Sequence, residues 1–228
     1  MKKVTDITGE IRDGMWNYEF PFPEYHIKPL PEVPWVTTKV YCEIFDGLHS
    51  QTGTYLETPA HFYGPEKSYN LIDVPVEKLF DIPCVLIMLD GLDNISGSRK
   101  AITAEMLEKA LGERTIPEGC ALAVGCGWGK FWFDKDYLDA SPYFTLDAME
   151  WLVSKKPFLL ATDFPRWENL QSPGGIFPVF YAADILMLAP VVDLENVDAS
   201  CESLKLTVLP IKASGTSCTP CRAVITEG

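Results

Sequence analysis

Four short, uninterrupted apolar runs constrain this chain more than any other feature: Cys84–Leu89, Cys120–Val124, Phe158–Ala161 and Ile185–Leu188. Runs of this length without polar alternation suit strands covered on both faces. Between them lie segments with helical signals. Thr103 is placed to cap a helix carrying Met106, Leu107, Ala110 and Leu111, with Gly112 as its stop. Thr145 is placed to cap a second, with Met149, Leu152 and Val153 on one face. Leu204, Leu206 and Val208 alternate with Lys205 and Thr207, the pattern of a strand with one wet face. Strands alternating with helices predict an α/β layered domain. No repeat or linker divides the 228 residues, so a single domain over 1–228 is expected.

The first forty residues do not fit that alternation. Pro21, Pro23, Pro29, Pro31 and Pro34 exclude regular helix, and Trp16, Tyr18, Phe20, Phe22 and Tyr25 stand among them. An extended arm over 1–40 is expected. Its aromatic rings either complete the chain's own core or reach a neighbouring subunit.

A formal net charge of -13 and the lack of any Lys/Arg cluster argue against a nucleic-acid partner. No apolar run is long enough for a membrane-spanning helix, and no apolar stretch follows Met1 to suggest a secretory signal. The cytoplasm is the expected compartment. Seven scattered cysteines read as reduced thiols rather than a disulfide framework.

Chemistry has few places to reside, because only His26, His49 and His61 are available as imidazoles. The stretch from Ser50 to Phe62 gathers polar, Gly and Pro residues beside His61. In an extended strand Gln51, Tyr55, Glu57 and His61 share one face. A carboxylate and an imidazole so placed suit general acid–base work, although a solvated strand edge explains the same pattern.

The segment resembles the signature H-x-G-T-H-x-D-x-P-x-H of the cyclase family, which includes bacterial kynurenine formamidase and isatin hydrolase. Gly53-Thr54, Pro59 and His61 match, Glu57 stands for Asp, and Gln51 and Tyr55 replace the first two histidines. Further pieces follow in order: Asp6-Ile7-Thr8, Asp13-Gly14-Met15, Val74 to Leu79, Gly127-Trp128 and Thr162-Asp163. Ala183 to Met187, Glu195-Asn196-Val197 and Pro220 to Ala223 complete the series. The resemblance implies the swivelling β/β/α fold, a mixed barrel-like sheet with flanking helices. It also implies a homodimer or homotetramer in which Trp16 and Tyr18 approach the neighbouring subunit's pocket, and a small-molecule substrate.

In that family two signature histidines, the Asp, a later His and a later Glu hold two divalent metals, and the last signature His moves protons. Carried over, Glu57 and Glu195 keep the carboxylates and His61 the proton role, while Gln51, Tyr55 and Ala183 replace all three ligating imidazoles. A Gln carbonyl is a weak ligand, Ala offers none, and neutral Tyr is poor. The set is left with oxygen ligands for at most one weakly held divalent cation. No cofactor is otherwise indicated.

Three readings follow. The first is an enzyme using Glu57, Glu195 and His61 in acid–base chemistry on a small carbonyl or amide compound, with Gln51, Tyr55, Trp16 and Tyr18 contacting substrate. Two close carboxylates without a metal would raise one pKa by repulsion. The second is a metal-dependent amide hydrolase of the arylformamidase type. The third is a non-catalytic binding relative. Gly125-Cys126-Gly127 offers a thiol in a plausible exposed turn, yet it equally suits a small apolar position. Cys218-Thr219-Pro220-Cys221 is a lone C-x-x-C. Asp163 either orients the site or caps a turn.

Overall fold

The apolar runs become the staves of a barrel. A computed structural model describes residues 2–228. Its strands are β1 (Lys3–Asp6), β2 (His26–Pro29), β3 (Glu43–Asp46), β4 (Tyr55–Glu57), β5 (Ile82–Met88) and β6 (Ala101–Ile102), then β7 (Ala121–Gly125), β8 (Tyr143–Phe144), β9 (Leu159–Thr162), β10 (Leu186–Ala189), β11 (Lys205–Pro210) and β12 (Cys218–Glu227). Its helices are α1 (Ala60–Tyr63), α2 (Ala104–Leu111), α3 (Leu146–Ser154) and α4 (Ile176–Ala182). No helix among the described residues is long and apolar enough to cross a membrane.

The main sheet runs β1-β12-β11-β5-β7-β9-β10-β4, and β4 returns to pair with β12, closing seven strands with β1 outside the ring. The four apolar runs form the parallel part β5-β7-β9-β10, and antiparallel strands complete the ring. Covered faces on both sides explain the lack of polar alternation. Leu56, Leu86, Ala123, Leu159, Leu188 and Val208 fill the interior. Ile87, Val124, Leu160 and Met187, on the opposite faces, pack under the helices with Leu107, Met149 and Phe180. Burying one such Leu or Phe stabilises the fold by about 1.5–3 kcal/mol.

Both helical expectations hold, with one correction. Thr103 Oγ1 accepts from Met106 N at 3.3 Å, and Gly112, with φ at 63°, ends α2. Thr145 precedes α3 but provides no side-chain cap, because its hydroxyl donates to Ile102 O at 2.9 Å. That bond, with Asp147 accepting from Ala104 N, fastens the start of α3 to that of α2.

The first forty residues divide. Lys3–Asp6 is an edge strand of the main sheet, while β2 and β3 form a separate two-stranded ribbon. Trp16, Tyr18 and Phe22 fold back onto the domain, and Tyr25 is buried. By contrast Phe20 and Trp35 are 96% and 81% exposed, as is the following Tyr41 at 78%. Own-core packing and outward display therefore both occur in this segment.

Candidate active site

Strand alternation decides which face of β4 carries chemistry. Leu56 points into the barrel, so Tyr55 and Glu57 point out, toward α4 and the arm. The preceding turn is tightly defined. Gly53 has φ at 69°, and a Cβ there would stand 2.8 Å from Ile11 Cγ1, so this position favours glycine. Thr54 Oγ1 donates to Pro190 O at 2.6 Å and accepts from Gly9 N at 2.9 Å. The Gly-Thr pair thus fixes the strand's entry.

Glu57 is the centre of the arrangement. It is 1% exposed, and Tyr181 donates to its Oε1. Gln51 Nε2 donates to Oε2 at 3.2 Å, and His61 Nδ1 lies 3.5 Å from the same oxygen. The strand-face expectation is corrected in its geometry. Only Tyr55–Glu57 is extended, and Pro59 begins α1, so His61 reaches Glu57 as an i,i+4 neighbour across a helical turn. The imidazole is 43% exposed, with one side on the carboxylate and the rest open.

Burial raises the Glu57 pKa, against the pull of His61 and of the bonds from Tyr181 and Gln51. Tyr55 faces Tyr18, their hydroxyls 3.2 Å apart, and burial pushes both phenols upward, so both stay protonated near neutrality. These groups border a cavity of about 300 Å³ with Tyr18, Phe22, Phe177 and Met187 in its walls. Trp16 does not line it. The indole stands behind Tyr18, edge-on at 5.4 Å, and packs on Trp132 and Tyr137.

Several expected residues lie elsewhere. Glu195 is exposed in a single 3-10 turn, Leu194–Asn196, and is not in the cavity wall. The carboxylate whose pKa it raises is Asp163, not Glu57, so the expected carboxylate pair does not form. Ala183 ends α4 rather than lying on a strand, and Asp184 follows with φ at 58°. The residue of α4 that touches Glu57 is Tyr181, which the sequence reading missed. Within Ile176–Ala182 it reads as one more core aromatic.

Cys126 is buried rather than exposed, and burial followed by the nearby Asp163 pushes its thiol well up, which opposes a nucleophilic role. Cys218 and Cys221 are buried on β12, and all seven cysteines are free. Asp163 caps a turn. It accepts from Cys126 N at 3.0 and 3.1 Å and from Trp128 N at 3.0 Å. Burial nevertheless lifts its pKa from 3.8 to about 6. Between those values the folded state holds a proton the unfolded chain has released. Stability therefore falls as pH rises through that window, by up to about 1.4 kcal/mol per pH unit. Denaturant titrations from pH 4 to 7 should show Asp163→Asn with a flatter profile than the parent; equal slopes would refute this assignment.

The donor set does not fit a two-metal centre. Among the described residues no three His, Cys, Asp or Glu side chains converge in a way that would hold a metal ion. At the three expected imidazole positions stand an amide, a phenol hydrogen-bonded to another phenol, and Ala183.

A closed seven-stranded mixed barrel flanked by helices, with the candidate site on the outer face of the closing strand, defines the class as a single mixed α/β barrel domain. The chain belongs to the cyclase family, whose model, described as "Putative cyclase", matches residues 5–169. Among solved structures, it is similar to an isatin hydrolase bound to the product analogue thioisatinate, with a TM-score of 0.80 and 19% identity over 99% of this chain and 92% of that one. It is also similar to isatin hydrolase A from Labrenzia aggregata bound to benzyl benzoate, with a TM-score of 0.79 and 16% identity over 99% and 94%. A potential metal-dependent hydrolase with cyclase activity gives a TM-score of 0.70 and 18% identity over 100% and 99%. At these identities the likeness carries the fold alone. No curated protein matches the chain.

Proposed function

We propose that this chain is a cyclase-family enzyme acting on a small carbonyl or amide compound by proton transfer through Glu57 and His61, without the family's metal-activated water. The observation that supports this reading is a buried carboxylate 3.5 Å from a half-exposed imidazole at the edge of a cavity. Ionised Glu57 accepting from His61 Nδ1–H would fix the tautomer that leaves Nε2 free to take a proton, and would stabilise the imidazolium that results. Tyr181 and Gln51 hold the carboxylate in place, and the protonated phenols of Tyr55 and Tyr18 supply neutral donors to a substrate oxygen. Such a set suits dehydration, isomerisation or ring closure beside a carbonyl better than hydrolysis of a robust amide.

The test is turnover of a panel of hydroxy-carbonyl compounds, formyl amides and lactams before and after exhaustive chelation. Retained activity is expected. Loss on chelation restored by one added metal would instead support the arylformamidase-type reading.

The same proposal places the enzyme in the cytoplasm, since seven free thiols suit a reducing compartment. It also assigns a homodimer or homotetramer. Trp35, Tyr41 and Phe45 are displayed on and beside the β2–β3 ribbon, a concentration of exposed apolar surface that a second copy would cover. Light scattering should give a multiple of the 25.5 kDa chain mass, and Tyr41→Glu with Phe45→Glu should reduce it to one. A monomeric parent would overturn this.

A further inference from the structure

Glu57 lacks the partner that a buried carboxylate ordinarily has. Among the described residues no lysine or arginine pairs with it; its neighbours are two neutral donors, Tyr181 and Gln51, and the half-exposed His61. A buried charge without a cation is costly. Glu57 lines the cavity, and its Oε2, which accepts at 3.2 Å from Gln51 with His61 Nδ1 3.5 Å away, keeps accepting capacity for a further donor. The other charged groups of the wall are already compensated. Arg166 pairs with Glu19 and lies 3.5 Å from Asp139, while Glu168 accepts from Gly175 N at 2.7 Å and Ile176 N at 3.3 Å ahead of α4.

The remaining wall is aromatic. Tyr18 and Phe22 lie 5.7 Å apart by ring centroid, and Phe177 stands in the same cavity. Aromatic faces attract cations through their quadrupole, and a carboxylate beside them supplies a charged hydrogen-bond acceptor. The net charge of -13 adds a field that draws cations toward the molecule.

From this we infer that the pocket takes an organic cation. An ammonium or amidinium nitrogen on a small aromatic or carbonyl-bearing frame donates to Glu57, and the frame lies against Tyr18, Phe22 and Phe177. The inference rests on the proposed function only in taking this cavity as the substrate site. The ligand's own nitrogen then supplies the positive charge beside Glu57, in a site whose donor set does not suit a metal pair.

Calorimetric titration of the whole chain with benzamidinium, benzamide and benzoate varies the ligand's charge on one ring frame. Benzamidinium is expected to bind about tenfold or more tightly than benzamide, with benzoate weakest. Glu57→Gln should remove that preference. Tyr181→Phe removes one neutral donor but keeps the carboxyl group and its bond from Gln51, and should retain the order, so the order stays informative if Glu57→Gln does not fold. Benzamide or benzoate matching benzamidinium in the parent protein, or no binding of benzamidinium at millimolar concentration, would overturn the inference. His61→Ala separates the two readings: the binding order should survive while turnover is lost. Turnover without charge preference would sink this inference alone, and charge preference without turnover would sink the proposed chemistry alone.

Discussion

His61→Ala is expected to lower kcat by about 10²–10⁴-fold on whatever carbonyl or amide compound the enzyme turns over, the usual contribution of a positioned proton carrier. The fold should be unaffected. His61 sits on the outer side of a four-residue helix with 43% of its side chain exposed, and substitutions at such positions usually change stability by about 0.5 kcal/mol or less. Glu57→Gln should cost a similar factor by a different route. The amide keeps the shape but cannot stabilise an imidazolium, and its NH₂ would face one of the two donors, Tyr181 or Gln51. Because the two residues act as one unit, the double variant should be little worse than either single one. Kinetics of the three variants decide the matter: additive losses would mean separate roles, and an unchanged His61→Ala rate would end the proton-transfer reading.

Trp167→Ala is expected to destabilise the protein by about 3–5 kcal/mol, the range for removing a large buried aromatic. Its ring is 1% exposed and packs edge-on against Phe144 at 5.6 Å and Phe180 at 5.1 Å. Its Nε1–H donates to Thr162 Oγ1 at 2.7 Å, so truncation also leaves that buried hydroxyl without its donor. For a chain of this size the loss corresponds to a fall in Tm of roughly 10 °C. Phe180 in turn packs on Tyr181 at 5.1 Å, so the cavity left by Trp167 lies one residue removed from the hydroxyl that holds Glu57. Activity should therefore fall even below the transition. Calorimetric melting checks the first expectation, and a change in Tm under 3 °C would contradict it.

What was legible in the sequence follows what each segment's residues are constrained by. The apolar runs marked β5, β7, β9 and β10 to within two residues, because a strand covered on both faces has no room for polar side chains. Gln51, Glu57 and His61 lie together, as strand alternation suggested, but by another route, since Pro59 turns the chain into helix and delivers His61 beside Glu57. Tyr181 was hidden because a tyrosine among Ile, Phe and Val declares its ring and not its hydroxyl; the one available signal was that a buried phenol needs a partner. Glu195 came from resemblance rather than from any local pattern, and the turn that carries it leaves it exposed. The arm's prolines exclude regular helix, and turns and two short strands stand there, while which rings turn inward depended on His49, Trp132 and Tyr137 far along the sequence.

The closing of the barrel by β4 has an evolutionary reading. The seam that joins β10 to β12 is held by the main chain of three residues, and main-chain bonds do not depend on which side chains those residues carry. The outward side chains of that same strand, with Gln51 ahead of it and His61 just after it, make up the candidate site. A lineage can therefore exchange imidazole for amide or phenol at positions 51 and 55 without opening the scaffold. Architecture and site chemistry are separable here, which is how a chain can carry the Gly-Thr, Pro and His of the signature it resembles with other residues at three of the ligand positions.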